Sequence, residues 1–173
     1  MNRIQTIIYN YFDFDFFWGH YMPKQPLINN LAKDFQSKYP NALVHIIQKV
    51  KTVYPELPTY RYTYFIEEDR CLTFEIQLPN NDTVVFAISI FGYFLAWSSV
   101  PGMSGFDKYF YENDNPVLSY IFHTIVNPEF DNSLEWVSYE MISEEIEMFN
   151  HDKILEMEDS SPIYVADLLT RFH

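Results

Sequence analysis

Leu72-Thr73-Phe74-Glu75-Ile76-Gln77-Leu78 alternates apolar and polar side chains, and together with the stretch that follows it decides the fold. A period of two puts every second residue on one face of an extended chain, the pattern of a half-buried strand. Pro79-Asn80-Asn81-Asp82 supplies turn chemistry, because Asn and Asp tolerate positive φ. Thr83 to Ile90 follows, and Tyr93 to Ser99 follows that after Gly92; upstream, Tyr60, Tyr62 and Tyr64 alternate with Arg61 and Thr63. The spacing predicts an antiparallel meander of about four strands over residues 60–99, in a sheet of about four to five. Its third and fourth strands are nearly continuous in apolar residues, which places them centrally with both faces covered.

Outward from the meander the period changes. Leu27, Leu31 and Phe35 follow Pro26 at helical spacing and predict a helix over 26–38, broken at Tyr39-Pro40. Leu43, Ile46, Ile47, Val50 and Val53 predict a second helix that ends before Pro55 and Pro58. Between Ile4 and Trp18 the aromatics are too dense for periodicity to separate helix from strand. On the C-terminal side, Pro101-Gly102-Met103-Ser104-Gly105 reads as a loop. Asn115-Pro116 reads as a cap, with proline at the first position of a helix running to about Val126 and stopped by Pro128. Leu134 to Ile142 fits either an edge strand or a helix start, Ser143 to Phe149 favours helix, and Ser161-Pro162 opens a short final one. No repeat or linker interrupts the chain, so the expectation is one α+β domain over residues 1–173, with N-terminal and C-terminal helices packed on the sheet.

Composition narrows the function classes. The chain has 173 residues, enough for a core that needs neither disulfide nor metal. Cys71 is the only cysteine, which excludes an intrachain disulfide and fits a reducing compartment. The start, Met1-Asn2-Arg3-Ile4-Gln5-Thr6, is too polar for a signal peptide's apolar core, and Val84 to Trp97 falls short of the roughly 20 residues of a membrane helix. A cytoplasmic protein without membrane contact is expected.

The net charge of −13 is unevenly spread. Residues 1–70 carry eight Lys/Arg against seven Asp/Glu, whereas residues 112–159 carry thirteen acids against Lys153 alone. One reading is a surface that only keeps the protein soluble; the other is a face that steers a basic partner and fixes its orientation. Either one opposes direct binding to nucleic acid, whose phosphates would be repelled. With 16 Phe, 14 Tyr and 3 Trp the chain is also rich in aromatics.

Catalytic patterns are weak. Asp13-Phe14-Asp15 has the look of the metal-binding Asp-x-Asp of haloacid-dehalogenase-like phosphatases and of many glycosyltransferases, since carboxylates at i and i+2 share one side of an extended segment. The phosphatase pattern wants Thr or Val where Phe17 stands. Gly102-Met103-Ser104-Gly105 lacks the spacing of a nucleophile elbow. His20, His45, His123, His151 and His173 show no zinc spacing with Cys71 or one another, and His45 reads as a satisfied core or boundary residue. His151-Asp152 is a weak acid–base pairing, and nothing near Cys71 would lower its pKa. The expectation is no cofactor and no catalytic residue.

The acidic cluster of Glu140, Glu144, Glu145, Glu147 and Asp152 lies among Trp136, Tyr139 and Phe149. It fits a solvated helix face, or a contact surface whose carboxylates meet Lys and Arg around aromatic anchors. In size, charge and aromatic content the chain resembles the immunity proteins of bacterial toxin systems, nearest those paired with contact-dependent or polymorphic toxins. The resemblance implies a stoichiometric inhibitor that binds a basic toxin domain, often a nuclease, and covers its active site with phosphate-mimicking acids. On that reading these eight residues, Trp136, Tyr139, Glu140, Glu144, Glu145, Glu147, Phe149 and Asp152, meet the cognate toxin. The alternatives are a small metal-dependent phosphatase-like or transferase enzyme using Asp13 and Asp15, and an acidic adaptor with no toxin partner.

Overall fold

The meander forms as the alternation requires. In the computed structural model, which describes residues 3–15, 20–61, 70–79, 82–99 and 108–143, strands β3 (Thr59–Arg61), β4 (Cys71–Gln77), β5 (Thr83–Ser89) and β6 (Tyr93–Ser99) pair in sequence order, all antiparallel. Two further strands extend the sheet to six. β7 (Lys108–Phe110) pairs antiparallel with β6, and the two-residue β8 (Glu135–Trp136) pairs with it in parallel through Tyr93 and Phe94. Because β5 occupies one edge of β6, β7 and β8 share the other edge end to end. The Trp136 indole N–H donates to the Phe110 carbonyl at 2.9 Å and ties the two together.

Helices cover both faces of this sheet, and that explains the unbroken apolar run of β5 and β6. Alternate residues serve different layers. Val85, Ala87, Tyr93, Leu95 and Trp97 pack beneath α1 (Arg3–Tyr11) and α2 (Gln25–Lys38), against Ile4, Ile8, Ile28 and Ala32. Val84, Phe86, Ile88, Phe94 and Ala96 pack against α3 (Ala42–Val53) and α4 (Pro116–Tyr120) with its continuation, through Leu43, Ile46, Val50, Leu118 and Ile121. The second layer is also aromatic. Phe74 and Phe86, opposite each other on β4 and β5, stack at 4.6 Å; Phe94 lies 4.7 Å from Phe122 and 4.9 Å from Trp136. Each such pair adds about 0.5–1.5 kcal/mol beyond its buried area, so much of the aromatic excess is core.

Three stretches follow physics that local spacing does not display. The described part of the Ile4 to Trp18 stretch, as far as Asp15, is helix and strand in succession: α1 ends at Tyr11, and β1 (Phe12–Asp15) forms a hairpin with β2 (His20–Pro23). The third predicted helix starts as expected, with the Asn115 side chain accepting from the Val117 and Leu118 N–H groups. It then widens into a π-helical turn over Ile121–Val126, and Pro128 sits inside a 3-10 turn, Asn127–Phe130, instead of ending the element at once. Asp131 and Asn132, both at positive φ, reverse the chain there. The ambiguous Leu134 to Ile142 resolves into β8 followed by α5 (Tyr139–Ser143), whose Met141 N–H is capped by the Ser138 hydroxyl at 3.3 Å.

Gly92 makes the β5–β6 turn at φ +84. The Arg3 guanidinium lies against it, donating to the Phe91 carbonyl at 3.0 Å and sitting 4.8 Å over the Tyr93 ring. The N-terminal helix is thereby fastened to the middle of the sheet.

Candidate partner-binding surface

The acidic run divides once it is folded. Its middle portion is neutralised from within by cations far away in the chain. Glu129 receives Lys49 and, at 3.3 Å, His45, both from α3. Asp131 is 3.1 Å from Lys38 and accepts from the Tyr39 hydroxyl at 3.2 Å. Glu135 lies 3.3 Å from Arg3. The Glu129 side chain is only 16% exposed. Burial pushes its carboxyl up, but the hydrogen bonds and charges of Lys49 and His45 outweigh this, and the net displacement is downward. Asp131 is likewise held low by its hydrogen bonds from Lys38 and Tyr39. These three carboxylates clip the C-terminal half onto α1, α2 and α3, and their charge is spent inside the molecule.

A second group gathers at the turn that precedes α4. The turn Tyr111–Asp114 leads from β7 towards α4; the Asp114 carboxylate accepts from the Tyr111 N–H at 3.0 Å and closes the turn. Tyr111, half-buried, meets Tyr139 edge-to-face, with ring centroids 5.9 Å apart at 84°. Tyr139 itself is 62% exposed. Burial pushes the Tyr111 phenol up, and Tyr139, Asp114 and Glu140 reinforce the shift. Glu140 is exposed, and hydrogen bonds from its own backbone N–H and from the Ser138 hydroxyl hold its carboxyl below the usual range. Glu112 completes the corner with His123, at 2.7 Å. From Tyr109 to Asp152 the sequence contains no Lys or Arg, so His123 is the one basic side chain this stretch contributes up to Asn150.

The expected contact residues therefore separate. Tyr139 and Glu140 stand on the surface together. Trp136, expected among the surface aromatics, lies instead in the core: it is 8% exposed, and its ring packs 4.9 Å from Phe94 and 5.1 Å from Phe122. Parallel pairing of β8 with β6 turns it inward, where period alone cannot point. Glu144, Glu145, Glu147, Phe149 and Asp152 lie outside the described residues, as do Gly102 to Gly105, His151 and the expected final helix. Tyr111, Glu112, Asp114 and His123 were missed by sequence reasoning. The signal that could have found them is the long gap without Lys or Arg around a Tyr-x-x-Asp turn.

The other candidates are accounted for locally. Asp13 and Asp15 lie on β1 opposite Met22 and His20; Asp13 is exposed and pairs with Lys24 at 3.3 Å. Among the described residues, no group of three or more His, Cys, Asp or Glu is placed to hold a metal ion. Cys71 is fully buried at the start of β4. His45 is exposed and engaged with Glu129, which makes it a surface residue and not a core one. No helix among the described residues is long and apolar enough to cross a membrane. No family model, curated protein or solved structure matches this chain.

Proposed function

We propose that this chain is a cytoplasmic immunity protein that binds a cognate basic toxin domain, with nuclease chemistry favoured, and neutralises it through its acidic, tyrosine-bearing surface. The observation that carries the reading is the separation of charge. Arg3, Lys38 and Lys49 are engaged by Glu135, Asp131 and Glu129, while the acids from Glu140 to Asp159 follow in sequence with Lys153 as their only Lys or Arg. A one-sided field of this kind draws a basic partner in and sets its orientation, raising association rates by roughly 10–10³-fold. Carboxylates are also the groups that compete for a nuclease's phosphate-binding cations.

The test is co-expression with the toxic domain encoded beside the gene. Protection of the host cell, and a one-to-one complex whose association slows steeply with salt, are the expected results. A complex whose formation ignores salt, or no protection by a chain that is expressed and folded, would refute the proposal.

A further inference from the structure

We draw no further inference here: the strongest candidate, the shallow groove on the solvent face of α3 lined by His45, Gln48, Lys49, Thr52 and Val53, has its two basic side chains already engaged by Glu129 and the Thr52 hydroxyl by the Gln48 carbonyl, and nothing in the structure shows what covers it.

Discussion

Replacing Trp136 with Phe asks whether this residue serves the fold or the surface, because the two roles predict opposite results. The indole is 8% exposed, packs against Phe94 and Phe122 at 4.9 and 5.1 Å, and donates to the Phe110 carbonyl at 2.9 Å. Phe keeps a ring but loses the donor, and the partly buried carbonyl left behind costs about 1–2 kcal/mol. The smaller ring leaves a gap between β7 and β8 that adds about 1 kcal/mol. The total, about 2–3 kcal/mol, is a large share of the 5–15 kcal/mol typical of a domain. Urea unfolding should show a midpoint lower by about 1 M with an unchanged slope, and heating should show a Tm lower by about 5–10 °C. Tyr139→Leu, at 62% exposure, is the companion and should shift stability by less than about 0.5 kcal/mol. Association of folded Trp136→Phe with the partner should match wild type. An unchanged midpoint, or partner binding lost at full stability, would refute the placement of Trp136 as a core residue that joins two strands.

Glu129→Gln should destabilise by about 1 kcal/mol, since the Lys49 and His45 it releases are half-exposed and can return to water. The Glu129 carboxyl sits below its unfolded value, so its stabilisation is complete above the ordinary carboxylate range and is lost as pH falls through the folded value. Wild type should therefore lose more stability than Glu129→Gln between about pH 6 and pH 3 in parallel urea titrations; equal losses would contradict the pairing. Gly92→Ala forces a side chain onto φ +84, with its Cβ 2.7 Å from the Arg3 guanidinium, and should cost about 1–2 kcal/mol in thermal unfolding, mostly from the backbone because the Arg3 tip can swing aside. Charge reversal at Glu144, Glu145 and Glu147 should slow association with the partner and flatten its salt dependence in stopped-flow measurements. An Asp13→Asn, Asp15→Asn double variant should protect cells as well as wild type; loss of protection by a folded variant would point to the metal-dependent enzyme instead.

Much of the fold was open to a reader of the sequence. Strand alternation in Leu72 to Leu78, the apolar runs of β5 and β6, the three-and-four spacing of Leu43 to Val53 and the Asn115-Pro116 cap are each written in residues close together. Secondary structure obeys short-range geometry, so short-range patterns report it. Helix gave way to strand at Tyr11 because Phe12 to Asp15 pairs with His20 to Pro23, a partner that spacing before the turn cannot name. Trp136 looked like a surface anchor for the same reason, since its direction is set by Tyr93 and Phe94, some forty residues earlier.

The acidic run shows the division most clearly. Its position, sign and density are properties of the sequence alone, and so is the lack of Lys and Arg from Tyr109 to Asp152. Which of its carboxylates meet distant cations within the molecule was decided only by folding. Glu129 meets Lys49 across 80 residues and Glu135 meets Arg3 across 132, while Tyr139 and Glu140 face solvent beside Tyr111. Coulomb attraction acts through space and not along the chain, so tertiary structure sorts charges that sequence can only count.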